Sequence, residues 1–242
     1  MSTPAIGPPA PQPPSPLARN IGRHGARHAP QVDEPAPGEG PDDIIVEILD
    51  AAAVAFMTRG YAATSIDDVA DLLHATKGKI YHHYRKKADL FYDVHRRAMD
   101  LDLAAVRKAA QTQSGTALAR LRAMALAHVF VIMEYLPYQR VAVQGLDMHL
   151  AGETTSQQRV VLAEILQLRD RYEAMFAQSI AEVIDDGAAP TQDIALVVKA
   201  FIGALNWTTI WYRERPGQSA EEKTHIADTI ATFALRGLGV SA

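Results

Sequence analysis

The side chains best placed to do chemistry sit together in LLHATKGKIYHHYRKKADLF, residues 72–91. Between His74 and Lys87 this stretch carries Lys77, Lys79, Arg85, Lys86 and Lys87, with three histidines, two tyrosines and no acidic residue. Cations interleaved with hydrogen-bonding rings suit a polyanion, above all the phosphates of a nucleic acid. The whole chain nevertheless has a formal net charge of -4. That balance argues against a protein that coats nucleic acid with its entire surface. It permits a small basic footprint, because charges are screened over ~8 Å at physiological salt.

Catalytic arrangements are missing from the sequence. TKGK is no phosphate-binding loop, since Leu73 stands where its first glycine would be and Ile80 replaces the final Ser or Thr. There is no HExxH motif, and the adjacent His82 and His83 point about 100° apart on a helix, too far apart to share one metal. The pairs Asp42/Asp43, Asp67/Asp68 and Asp185/Asp186 fall near predicted helix ends, where capping accounts for the first two. The expectation is no enzyme, no cofactor and no metal site. With no cysteine, no apolar run of membrane-spanning length and no signal-peptide core, the chain is expected in the cytoplasm, associated with the nucleoid.

The elements that position the basic stretch are helical. Residues 1–40 hold ten of the fourteen prolines and are expected to be disordered. Within them Arg19, Arg23, Arg27, His24 and His28 fit a solvated tail, or an arm that touches DNA, and a proline-rich tail can also recruit a protein. From Pro41 onward, Ile44, Ile45, Ile48, Leu49, Ala52, Ala53 and Phe56 recur on one helix face, with Gly60 as the stop. Thr64 then caps a short helix bearing Ile66, Val69, Ala70 and Leu73, with Asp67 completing a capping box. A second short helix runs from Lys77 to about His83, with Thr76 at its N-cap. The link of His74 and Ala75 is too tight for antiparallel packing, so the pair must cross steeply as a helix-turn-helix. His74 takes the place of the usual turn glycine, and histidine tolerates a positive φ. Long helices follow near 88–110, 117–136, 139–150, 154–186, 191–213 and 219–237, so the fold class is all-α. The expected domains are a DNA-binding head at 41–92 and a larger helical domain at 93–242.

In a helix-turn-helix the second helix enters the major groove. Thr76, Lys77 and Lys79 would occupy its first turn, and Gly78 would let the backbone approach DNA closely. Tyr81 and His82 would donate hydrogen bonds to phosphates, with Lys86 and Lys87 on the flanking backbone. Ile80 and Tyr84 would pack inward onto Phe56 and Val69. The segment YAATSIDDVADLLHATKGKIYHHYRKKADLF resembles the DNA-binding region of the TetR family of bacterial transcriptional regulators. The resemblance runs from about Ile44 to Phe91, through Gly60, Thr64, Ile66, Val69, Ala70, Gly78, Tyr81, Tyr84, Lys87 and Leu90. The family usually has Gly at the position of His74 and Phe at that of Tyr84. The resemblance implies a homodimer that reads a palindromic operator and is released when a ligand enters the C-terminal domain. By the family pattern Tyr81 and Lys87 contact phosphate, and Thr64, Thr76, Lys77, Gly78, Lys79, His82 and Lys86 complete the DNA-binding set. A non-specific architectural DNA-binding protein is the alternative.

The C-terminal domain offers two expectations. IALVVKAFIGAL at 194–205 is apolar on nearly every side and must be covered on two faces. The last helix carries a stripe of Ile226, Ile230, Phe233 and Ala234. The family resemblance implies that the last two long helices form a four-helix bundle across a dimer, over about 191–237, with an interface of Ile194, Val198, Phe201, Leu205, Ile226, Ile230 and Phe233. For the effector cavity, Met124, His128 and Val131 share a face, Tyr172, Met175 and Phe176 lie together, and Trp207 and Trp211 are four apart with Asn206 and Tyr212 beside them. These groupings fit an ordinary core or a cavity lining. The ending from Asn206 is also similar to TetR-type regulators of fatty-acid, steroid and aromatic-acid catabolism. That implies an acyl-coenzyme A thioester, with Arg213 and Arg215 at a basic mouth, as one effector class beside an unspecified apolar or aromatic molecule.

Overall fold

The computed structural model describes residues 41–150 and 155–240, and every regular element among them is helical. The proline-rich segment and its arginines lie outside the described residues.

Helix α1, Pro41–Ala63, turns Ile48, Leu49, Ala52 and Phe56 into the head core and is interrupted at Gly60, whose φ of 79° ends the regular turn. Two seven-residue helices follow, α2 (Ile66–Leu72) and α3 (Lys77–His83). Helices this short are marginal in isolation, so packing must hold them. Ile66, Val69 and Ala70 of α2 and Ile80 of α3 supply that packing, joined by Tyr84. Full burial of a side chain such as Ile80 contributes about 1.5–3 kcal/mol. Between the two helices His74 adopts φ 53°, and the Ala75 amide donates to the Ala70 carbonyl at 3.0 Å. This is the left-handed helix ending that glycine usually provides, here taken by histidine as its tolerance of positive φ allows.

Helix α4, Lys87–Thr112, crosses the expected boundary at residue 92 and feeds both cores. Its Leu90, Phe91, Val94 and Ala98 belong to the head cluster, and Met99, Leu103 and Val106 to the body cluster. The body continues with α5 (Ala117–Glu134), α6 (Leu136–Leu150), α7 (Ser156–Asp185), α8 (Ile194–Asn206), α9 (Thr208–Trp211) and α10 (Ala220–Gly237). Thr116, Thr155 and Ser219 cap α5, α7 and α10 through their hydroxyls. The expected helix over 191–213 is divided at Trp207 into α8 and α9. By length and hydropathy 194–211 would suit a membrane span. It is broken within that span, however, and Val198, Phe201 and Leu205 are buried in the protein's own core.

Candidate nucleic-acid interface and effector core

Burial of Ile80 and Tyr84 on one side of α3 turns its other residues outward. Thr76, Lys77, Gly78, Lys79 and His82 are exposed, as are Arg85 and Lys86, and Tyr81 is 44% accessible. A Cβ added at Gly78 would meet no atom within 4 Å, so this side of the helix is open to an approaching surface. Lys77 extends to Asp67 on α2 at 2.5 Å. Both groups are substantially exposed, so the pair is weak and easily exchanged for another anion.

Three expected roles in the head differ from the geometry. The capping box of α2 is formed by Ser65 and Asp68, not by Thr64 and Asp67: the Asp68 amide donates to the Ser65 hydroxyl at 3.1 Å, and the Ser65 amide donates to the Asp68 carboxylate at 2.8 Å. The Ser65 bonds hold the Asp68 carboxyl below its ordinary pKa. Thr64 is only 2% accessible, and its hydroxyl donates to the carbonyls of Gly60 at 2.7 Å and Ala55 at 3.3 Å. It therefore braces the bend at Gly60 and cannot reach a phosphate. Thr76 occupies the N-cap of α3 by backbone conformation alone, with no side-chain bond.

Lys87 is the third case. Its ammonium donates to the Tyr61 carbonyl at 2.7 Å and the Ala62 carbonyl at 3.3 Å, and stands 4.4 Å from the centre of the Tyr61 ring. Carbonyls left without partners at a helix end attract a cation. Lys87, in the first turn of α4, thus clamps α4 to the end of α1. Charge in the sequence pointed to phosphate, while the folded chain spends this cation on its own backbone.

In the body, the residues expected around a cavity separate into two groups. Met124, His128, Val131, Tyr172 and Phe176 are buried, with Met175 packed against the same core. They include a directed polar chain: the Tyr172 hydroxyl donates to His128 Nδ1 at 2.5 Å, and His128 Nε2 donates to the Asn206 Oδ1 at 3.0 Å. Burial lowers the His128 pKa to about 4, so the ring is neutral, and the Asn206 acceptor fixes the proton on Nε2. Nearby Asp102 is buried and accepts from Gln139 at 3.0 Å; burial pushes its carboxyl well above the usual range. Sequence reasoning missed Asp102 and Gln139, and it grouped Asn206 with Trp207 and Trp211 instead of with His128. Asp102 had one available signal, an acidic residue within an otherwise apolar stripe of α4.

Trp207 and Trp211 do not line this core. Trp207 is 63% accessible and Trp211 is also exposed. Arg213 donates to the Ile210 and Tyr212 carbonyls, and Arg215 pairs with Glu222 at 2.8 Å, so both expected mouth cations have internal partners. The expected interface set divides in the same way. Val198, Phe201 and Leu205 are buried within the protomer, although Phe201 also forms part of the floor of a groove beside Phe233, and Ile194, Ile226 and Ile230 are half-buried. Phe233, at 69%, faces outward. The outward apolar stripe of α8 is instead Leu196, Ala200, Gly203 and Trp207.

A basic helix held at a steep turn on a long-helix body defines the helix-turn-helix class of DNA-binding regulators, not an enzyme class. Residues 48–94 match the family model described as bacterial regulatory proteins, tetR family, and residues 114–238 match the tetracyclin repressor-like C-terminal domain. The chain is 30% identical over 169 residues to the HTH-type transcriptional repressor KstR2 of Mycobacterium tuberculosis, covering 69% of this chain and 80% of that one. Its fold resembles the TetR family regulator PfmR from Thermus thermophilus, with a TM-score of 0.66 and 27% identity over 79% of this chain and 98% of that one. AibR, solved with isovaleryl coenzyme A and operator DNA, shares the fold at a TM-score of 0.64 and 23% identity, covering 78% and 97% of the two chains. The chain belongs to the TetR family of bacterial transcriptional regulators.

Proposed function

We propose that the protein is a homodimeric transcriptional repressor that acts in the cytoplasm on the nucleoid, binds a palindromic operator through α3, and is released when an apolar or acyl-thioester effector enters the C-terminal domain. The outward presentation of Lys77, Gly78, Lys79, Tyr81 and His82 on a helix anchored by buried Ile80 carries the DNA-binding part. Lys86 joins this set, and Thr76 opens it. The apolar outward stripe of α8 and the exposed Phe233 of α10 border a groove lined by Val197, Ala200, Ala204 and Gly237, with the edge of Phe201 at its floor. A second copy would cover this surface and set the two heads about 34 Å apart, the spacing of successive major grooves.

The effector reading rests on the Tyr172–His128–Asn206 chain within apolar surroundings. Its groups are all neutral, so they suit the uncharged, hydrogen-bonding part of a ligand, such as a carbonyl or thioester. Any charged portion would lie toward solvent. KstR2 is named as a repressor and AibR was solved with an acyl-coenzyme A, which supports this effector class for the present chain.

Binding titrations against an operator selected from random duplexes test the reading. Lys77→Ala and Lys79→Ala should each weaken binding and reduce the slope of log affinity against log salt by about 1. Addition of acyl-coenzyme A thioesters of graded chain length should release the DNA. Binding with no sequence preference would favour an architectural protein instead.

A further inference from the structure

We propose that Tyr84 is a positioning residue that ties the end of the recognition helix, through Asp93 and Arg96 of α4, to Glu164 on α7. The proposal rests on the operator-binding reading above and adds to it a route between the head and the body.

Tyr84 ends α3, its amide donating to the Ile80 carbonyl at 2.9 Å. Its ring lies in the head core, and its hydroxyl leaves that core to donate to Asp93 Oδ2 at 3.0 Å. Burial and the adjacent Asp93 carboxylate raise the Tyr84 pKa, so the hydroxyl keeps its proton and remains the donor. The other Asp93 oxygen accepts from Arg96 Nη1 at 2.6 Å, and Arg96 Nη2 reaches Glu164 Oε2 at 3.0 Å. Four side chains thus form an unbroken polar series across α3, α4 and α7. Beside it Tyr92 of α4 packs on Leu162 and Ile165 of α7, so the same two helices are joined by apolar contact. Phenylalanine at position 84 would fill the core equally well but could not make the first link.

The far end of the series has functional meaning. Glu164 and Tyr172 lie on the same helix, eight residues and therefore about 12 Å apart. A shift of α7 caused at the Tyr172–His128 pair would move Glu164, and with it the arginine that orients Asp93. The recognition helix is therefore referenced to the helix that carries the candidate effector residue, as well as to α4.

A double-mutant cycle with the full chain and its selected operator tests this without any effector. Tyr84→Phe is expected to weaken binding about three- to tenfold, the range for a hydrogen bond to a charged partner only partly expressed in affinity. Glu164→Gln, remote from α3, should weaken binding about two- to fivefold in the wild-type background, as befits an exposed ion pair. In the Tyr84→Phe background it should add nothing. Equal factors in both backgrounds overturn the proposal, including a uniform tightening from loss of a negative charge near DNA. No effect of Glu164→Gln in either background overturns it as well. If the wild-type chain showed no sequence-selective binding, the operator reading would fall and this proposal with it. Additive variants in a chain that does bind its operator overturn this proposal alone.

Discussion

Replacing Lys87 with methionine keeps most of the aliphatic stem while removing the ammonium that clamps α4 to α1. Two carbonyl bonds are lost, one good at 2.7 Å and one long at 3.3 Å, together with the contact over the Tyr61 ring. A bond to a charged group is worth about 1.5–3 kcal/mol when shielded, and the half-buried position of Lys87 reduces that figure. A destabilisation of about 1–2 kcal/mol is expected, equivalent to a fall in melting temperature of about 2–8 °C for a chain of this size. The assay has two arms. Thermal unfolding without DNA reads the clamp, and operator titrations from about 50 to 300 mM salt read phosphate contacts. Lys87→Met should melt earlier and bind more weakly, with a salt slope parallel to wild type. An unchanged melting temperature with a slope reduced by about 1 would show that the ammonium serves phosphate and would refute the clamp.

Phe201→Ala should cost about 3–5 kcal/mol of stability as a core truncation, whereas Phe233→Glu should leave stability nearly unchanged and yield monomers by analytical ultracentrifugation. Monomers from the first and intact dimers from the second would reverse the interface. Asp102→Asn keeps an acceptor for Gln139 and removes the titrating group. Because the folded-state pKa of Asp102 is raised, wild-type stability is greatest below the unfolded value of 3.8 and is lost as pH rises. The variant should therefore melt above wild type at neutral pH, with the difference shrinking on acidification; a pH-independent difference would refute this. His128 has the opposite sign. Its pKa falls from 6.5 unfolded to about 4 folded, so stability declines as pH falls through that window. His128→Gln should flatten that part of the melting-temperature profile, and an unaltered profile would remove His128 as its cause.

Much of the architecture was legible because helical periodicity survives in a single sequence. The apolar face of Ile48, Ala52 and Phe56, the stop at Gly60 and the tight link at His74 each have one local cause, and the folded chain displays each. What was not legible depends on tertiary context. Thr64–Ser65 followed by Asp67–Asp68 offers two capping registers one residue apart, and burial of Thr64 selects the second. The charge of Lys87 identifies a cation but not its partner, which is brought in from 26 residues earlier by the fold. In α8, apolar residues all round leave the inward side undetermined. Packing decides it, placing Val198, Phe201 and Leu205 inside and Leu196 outside. Trp207 and Trp211 share a face by spacing, yet the helix break at Trp207 turns both rings outward. The polar chain was half visible: Tyr172, His128 and Asn206 all stood out by type, but local spacing groups Asn206 with Trp207 and Trp211, and only the fold brings it to His128.

The most direct test of the central claim is a nuclease footprint of the full chain on DNA from upstream of its own gene, taken across a salt series. The account predicts a protected palindrome with half-sites one helical turn or a whole multiple apart, retained near ~150 mM salt, and lost when Lys77 and Lys79 are both replaced by alanine. Diffuse protection that vanishes as salt rises, or a palindrome bound equally well by the double variant, would contradict the assignment of α3 as the helix that reads DNA.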